Sequence, residues 1–218
     1  YTCVGGFVSV VRTDVMQGLL MLVGSVVIFY FVTRAAGGVA SISRLSGLPE
    51  KQFLFELNGG IPFAVLLGVS LSGSLKLLAD PRQLSRFYAL KDEAEVLRGK
   101  WIATIGLAIV LGCLFPVGIY AHLILTDVTD TDLIVPSLVN DASVFPFWAT
   151  DFLVVSILAA AMSSMDSVLL VAASTIYKNI VAPFRPSSGE LLWTRTAVIG
   201  FSIVAALLAL KPPGDIVE

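Results

Sequence analysis

The segment from Phe147 to Tyr177 reads FWATDFLVVSILAAAMSSMDSVLLVAASTIY and carries only two charges, Asp151 and Asp166. It is longer than the run of about 20 apolar residues that a helix needs to cross a bilayer core about 30 Å thick. A turn of about 100° per residue puts Ser156, Ala160, Ser163, Ser164, Ser167 and Ser174 on one stripe, with Met162 and Met165 away from it. Asp166 stands at the stripe's edge, three positions after Ser163, within reach of the same pocket. The serines alone are better read as small residues that let helices approach and bond back to their own carbonyls. A carboxylate at the centre of a span costs roughly 2.5–3.5 kcal/mol on insertion scales and is tolerated where it meets a wet cavity, a partner or an ion. With Asp166 in the same stretch, the reading moves toward a site.

Working outward, further charge-poor runs extend from Val15 to Thr33, from Leu57 to Leu75 (the helix drawn on to residue 79), from Trp101 to Thr126 and from Leu191 to Leu210. Arg195 interrupts the last of these near its start. Five transmembrane helices are therefore expected, at about 15–33, 57–79, 101–126, 147–177 and 191–210. Residues 1–11 read as the tail of an earlier helix ended by Gly5-Gly6, and residues 34–56 as a loop with a short amphipathic segment. The composition agrees: 56% of the 218 residues are hydrophobic and 14% charged, and the mean hydropathy is +0.90. A soluble domain carries roughly 25% charged residues, so the fold class is all-α integral membrane.

Several function classes drop out. A net charge of −2 leaves no basic excess to neutralise phosphates, which argues against a nucleic-acid partner. Cys3 and Cys113 both lie inside apolar runs and offer neither a disulfide framework nor a zinc cluster. The one histidine, His122, reads as an interface residue. The chain opens at Tyr1 without a methionine or a signal pattern and ends, directly after an apolar run, on Lys211-Pro212-Pro213-Gly214-Asp215-Ile216-Val217-Glu218, so it is expected to be a piece of a larger polypeptide.

Charge sets the expected orientation. Arg12, the Pro81–Lys100 segment with Arg82, Arg86, Lys91, Arg98 and Lys100, and Lys178, Arg185 and Arg195 fall on one side; together they hold nine of the 14 basic residues. Arg34, Arg44, Lys51 and Lys211 fall on the other side, where the Leu125–Phe147 connection carries Asp127, Asp130, Asp132 and Asp141 with no basic residue. The excess of positive charge puts Pro81–Lys100 in the cytoplasm.

Asp14, in Arg12-Thr13-Asp14-Val15-Met16-Gln17, is read most simply as an N-terminal helix residue favoured by the macrodipole, with Thr13 as the cap. It also lies at the end of its span where the fourth span finishes, so Asp14 and Asp166 could meet at similar depth. Oxygen ligands without soft donors suit a hard cation. Gly68-Val69-Ser70-Leu71-Ser72-Gly73-Ser74 is either a close-packed interface or a place where a transporter helix unwinds to offer backbone groups to a substrate. Lys76 is expected to snorkel or to pair with Asp80. Pro116, between Gly112 and Gly118, is expected to kink the third span, and the Asp127–Asp132 cluster is read as solvated loop charge.

These residues resemble the sodium/solute symporter family, most closely its sodium/proline type, collinearly over nearly the whole chain. The likeness rests on Tyr1-Thr2, Gly5-Gly6-Phe7, Thr13-Asp14 and Gln17, then Asp80-Pro81-Arg82-Gln83-Leu84-Ser85-Arg86-Phe87. Ile157-Leu158-Ala159-Ala160-Ala161-Met162-Ser163-Ser164 follows and is its most specific element, before Ile176-Tyr177-Lys178 and Arg195. The resemblance implies a LeuT-like fold of two inverted five-helix repeats, of which residues 1–218 would carry helices 5 to 9 as a partial transmembrane domain. It implies sodium as the coupling ion, bound by the carbonyl of Ala160 and the hydroxyls of Ser163 and Ser164. It further implies a second sodium site from Asp14, Ser163, Asp166 and Ser167. A solute pocket would be lined by Ser70, Ser72, Gly73, Ser74 and Leu77, where this chain lacks the aromatic residues of the proline type.

The function so implied is symport of a small organic solute, an amino acid such as proline or a related carboxylate, by a multi-pass protein of a bacterial plasma membrane. The expected partners are the solute, sodium and the lipid bilayer; an enzyme is not expected. A symporter-like sensor domain of a larger histidine kinase is the alternative, and sequence past Glu218 separates the two.

Overall fold

The computed structural model describes residues 2–47, 55, 61–125, 131–184 and 189–210, and every regular element among them is helical. The helices are α1 (Thr2–Ala35), α2 (Ile42–Ser46), α3 (Phe63–Ala79), α4 (Pro81–Phe87), α5 (Glu93–Ile124), α6 (Ile134–Val139), α7 (Phe147–Ile176) and α8 (Glu190–Ala209). A wider π-type turn, Tyr177–Val181, continues α7, and the Ala182 N–H donates to the Tyr177 carbonyl at 2.8 Å. Four helical stretches are long and apolar enough to cross a membrane: Gly5–Ala35, Glu93–Ile124, Phe147–Val181 and Leu191–Ala209. The pair Phe63–Ala79 and Pro81–Phe87, bent by 50°, makes a fifth if taken as one span.

Large apolar side chains line the outside of these helices. Ile102 is 74% exposed, Leu78 73% and Phe115 72%. Such a surface is wrong for water and right for acyl chains or further helices.

Two helix starts differ from the sequence expectation. Gly5-Gly6 does not end a helix before residue 11, because α1 passes through it. Gly6 takes a non-helical φ of 57° and ψ of −151°, a bend that glycine tolerates, and the helix resumes at once. A Cβ built on Gly5 would overlap the Cβ of Ser9, so the bend also needs glycine at that position. Asp14 is consequently well inside a helix. Thr13 is not its cap: the Thr13 hydroxyl donates back to the carbonyls of Ser9 (3.0 Å) and Val10 (2.9 Å).

At α5 the helix starts eight residues before the apolar run. The Asp92 carboxylate caps it by accepting from the Glu95 N–H at 2.9 Å, and Glu93 and Glu95 favour the positive helix end. From there α5 continues unbroken through Pro116 to Ile124.

In α3 the glycine- and serine-rich patch stays helical, with the Ser74 hydroxyl donating to the Ser70 carbonyl at 2.8 Å. The chain turns at Asp80-Pro81 instead, since proline has no N–H to continue the ladder and disfavours helical backbone in the residue before it. Asp80 caps α4, accepting from the Arg82 N–H at 2.9 Å and from the Arg82 Nε at 3.0 Å. Arg82 is thus the ion-pair partner of Asp80; Lys76 adds only a weaker attraction.

The Arg82 side chain, then its N–H, holds the Asp80 carboxyl at about 2, below its usual 3.8. A depressed carboxyl stabilises above its unfolded pKa and loses that contribution as pH falls through its folded value. Acid should therefore loosen the α3–α4 corner between about pH 4 and pH 2. Hydrogen exchange at the α4 amides should accelerate over that window in the wild type and stay level in Asp80→Asn.

The chain divides into two compact units, Met21–Val155 and the combination of Tyr1–Leu20 with Ser156–Glu218. In the first, the core gathers at one end of the helices. Ile28 and Val32 of α1 and Ala36 just past its end recur at helical spacing and cluster with Val117, Tyr120 and Ala121 of α5, Leu138 and Val139 of α6, and Ala149 and Leu153 of α7. The Phe31 ring lies 5.7 Å from that of Phe145, tilted against it, and meets Trp148 edge-on at 5.8 Å. The Asp141 carboxylate shapes the turn before α7 by accepting from the hydroxyl (2.6 Å) and N–H (2.8 Å) of Ser143, which hold it below the usual carboxylate range. The Thr150 hydroxyl then ties α7 to the Val139 carbonyl at 3.1 Å.

Candidate cation site

In the second unit, the first half of α1 lies antiparallel to the later part of α7. On α1 the inward residues recur every three or four positions, with Val10 and Gln17 buried and Thr13, Asp14 and Leu20 half-buried. On α7 the matching face carries Ser156 and Ala159, both buried, then half-buried Ala160, Ser163, Asp166 and Ser167. Two hydrogen bonds fix the pairing: the Ser163 hydroxyl donates to Asp14 Oδ1 at 2.7 Å, and the Ser156 hydroxyl donates to the Leu20 carbonyl at 3.2 Å.

Asp14 and Ser163, 149 positions apart in sequence, are therefore brought together in the interior of two apolar helices. The Ser167 hydroxyl donates to the Ser163 carbonyl at 3.0 Å, which keeps it on the same side. Asp166 is half-buried at the edge of this face.

The arrangement suits a small hard cation. A hydroxyl has one proton and two lone pairs. With the Ser163 proton directed at Asp14, its oxygen keeps acceptor capacity for a metal ion. Carboxylate, hydroxyl and carbonyl oxygens within a turn of one another are the donor type of alkali and alkaline-earth ions.

Ser164 does not share this face. It is exposed, because consecutive helical residues point about 100° apart. Ala160 and Ser163 thus border α1, while Ser164 looks away from it.

The residues expected to line a solute pocket all lie on α3, which has no buried residue. Ser70, Gly73, Ser74 and Leu77 share one helical face, and Ser72 lies across from it. Asn58, Gly59 and Gly60 at the start of this span, and Asp127 and Asp130 of the aspartate cluster, fall outside the described residues.

Apolar spans and a carboxylate–hydroxyl pair held between helices define a multi-pass membrane protein with a polar site in its interior. The sequence comparisons narrow this class. The profile of the sodium:solute symporter family matches residues 1–213. The chain is 26% identical over its whole length to a sodium/pantothenate symporter of Haemophilus influenzae, covering 46% of that protein. It is 30% identical over its whole length to the osmoregulated proline transporter OpuE of Bacillus subtilis, covering 45% of it. It is 26% identical to the sodium/proline symporter of Escherichia coli, with 97% of this chain and 44% of that protein covered. No solved structure matches.

This chain belongs to the sodium:solute symporter family and is a multi-pass protein of the cell membrane. It spans rather less than half the length of the curated relatives it matches.

Proposed function

We propose that residues 1–218 form part of the transmembrane domain of a sodium-coupled symporter for a small organic solute, working by alternating access. The observation that carries this reading is the Ser163–Asp14 hydrogen bond between two apolar helices of a chain in this family. In this reading the fold is LeuT-like, the chain supplies helices 5 to 9, and the basic side with Pro81–Lys100 faces the cytoplasm.

Sodium is bound by the Ala160 carbonyl and the Ser163 and Ser164 hydroxyls. Exposed Ser164 faces the helix outside this chain that completes the site. Asp14, Ser163, Asp166 and Ser167 hold a second sodium ion. Neutral hydroxyl and carbonyl ligands bind weakly enough for the ion to leave in every cycle. Inward movement of the ion is driven by its gradient and by the membrane potential, worth about 2.3 kcal/mol per charge per 100 mV. Occupancy by sodium favours the form open to the outside, which captures solute; the other form releases both.

The solute contacts are Ser70, Ser72, Gly73, Ser74 and Leu77 of α3. Proline and pantothenate, named for the relatives, both carry a carboxylate, which makes a small carboxylate-bearing solute the first candidate.

The test is radiolabelled uptake by the full-length protein in vesicles, with and without an inward sodium gradient, scanning proline, other amino acids, monocarboxylates, sugars and pantothenate. Uptake of every solute at the same rate in both conditions rejects the reading. Replacing Asp14 or Asp166 with asparagine is expected to weaken sodium about tenfold, the loss of one charge-assisted contact. Solute affinity at saturating sodium should hardly change, and equal loss of both counts against the second ion.

A further inference from the structure

We propose that Gln17 is a positioning residue for the sodium ligands of α7, an inference that rests on the sodium reading above. Gln17 is 8% exposed, a buried polar side chain within an otherwise apolar span. It lies three residues after Asp14 and three before Leu20, the two α1 residues whose bonds to α7 are fixed at 2.7 Å and 3.2 Å. Their α7 partners are Ser163 and Ser156, so antiparallel geometry puts Gln17 level with Ala159 and Ala160. Ala159 is 6% exposed, and a methyl side chain at each of these positions leaves room for a carboxamide.

A buried amide is almost always hydrogen-bonded, and a helix carbonyl has a second lone pair beyond its ladder bond. The NH2 group of Gln17 is therefore suited to the carbonyls of α7 at the level where Ala160 supplies its ligand oxygen. Asp14 holds Ser163 from one side of this level and the Leu20 carbonyl holds Ser156 from the other. Gln17 fills the interval and sets both the separation of the helices and the direction in which the Ala160 carbonyl and Ser163 hydroxyl point. Its own atoms need not touch the ion.

The experiment uses the full-length protein in proteoliposomes with sodium chloride or choline chloride as the salt. Gln17→Met keeps the length of the side chain and removes the amide. It is expected to raise the sodium concentration for half-maximal uptake about tenfold, the loss of one buried hydrogen bond. The solute KM at saturating sodium should stay within about twofold. Gln17→Asn keeps the amide but withdraws it by one methylene, and it should give a smaller rise of about threefold. Because the proposed effect passes through the α7 ligands, Gln17→Met should add little to Ser163→Ala in a double-mutant cycle.

A purely space-filling Gln17 predicts the opposite on each point. Unchanged sodium half-saturation in both variants, equal loss of solute affinity, or full additivity with Ser163→Ala each overturns the proposal. If Gln17→Met does not fold, the Asn variant and its own cycle with Ser163→Ala decide. Wild-type uptake that ignores sodium refutes the sodium reading, a result separate from any of these.

Discussion

Changing Ser163 and Ser164 together to alanine in the full-length protein is expected, on the sodium reading proposed above, to raise the sodium concentration for half-maximal uptake by about 30- to 100-fold, while the protein still reaches the membrane. A hydroxyl that serves as a ligand is worth about 1–1.5 kcal/mol, and every 1.4 kcal/mol is about a factor of ten. The two serines should not contribute alike. Ser163→Ala also deprives Asp14 of a donor at 2.7 Å, so its single effect exceeds that of exposed Ser164. Sodium titrations of solute uptake by the two single variants and the double variant measure this. Wild-type half-saturation in the double variant would remove the cation site from this part of α7.

Leu138→Ala should have the largest effect on stability. Leu138 is 0% exposed and belongs to the cluster that joins α1, α5, α6 and the start of α7. Truncating a fully buried leucine costs about 2–5 kcal/mol through lost burial and the cavity left behind. Leu133, 53% exposed just before α6, serves as the control, and its alanine variant should melt near the wild type. Melting of the detergent-solubilised full-length protein reads the difference. Protein recovered by the membrane should fall with Leu138→Ala, whereas the sodium half-saturation of what remains should not move. A shift in sodium affinity would mean that this cluster acts on the cation site and does more than hold the helices.

The spans were legible because hydrocarbon imposes a simple demand, a sufficient unbroken length of apolar helix. Phe147–Tyr177 was expected and α7 ends at Ile176; Leu191–Leu210 was expected and α8 runs Glu190–Ala209. Where polar residues meet a helix, the same demand misleads. Arg12-Thr13-Asp14 looked like the edge of a span, yet α1 continues through it. Thr13 satisfies its hydroxyl on the preceding turn and Asp14 receives its hydrogen bond from a residue far away in sequence. Local sequence cannot display such a partner. The start of α5 was set too late because Asp92 and two glutamates extend the helix beyond its apolar part.

Of the two readings open for Gly68–Ser74, the patch stays helical, and the bend in this region falls at Pro81, where the missing N–H decides. On α7, Ser156, Ala160, Ser163 and Ser167 of the helical stripe are buried or half-buried on one face. Grouping Ser164 with them overstated the stripe's width. Gln17 was noted only as part of a motif; its burial midway between two interhelical bonds became visible with the structure.

The π-type turn at Tyr177–Val181 bears on how related chains can vary in length. A rung closed over five residues, as between Ala182 and Tyr177, holds one residue more than an α-helical rung in the same rise. An added or deleted amino acid here can be absorbed by widening or tightening a single loop of backbone. Everything upstream keeps its rotational phase. Indels at this junction should accordingly be tolerated, whereas one placed between Ser156 and Ser167 would rotate half of the face that bonds to α1 out of alignment.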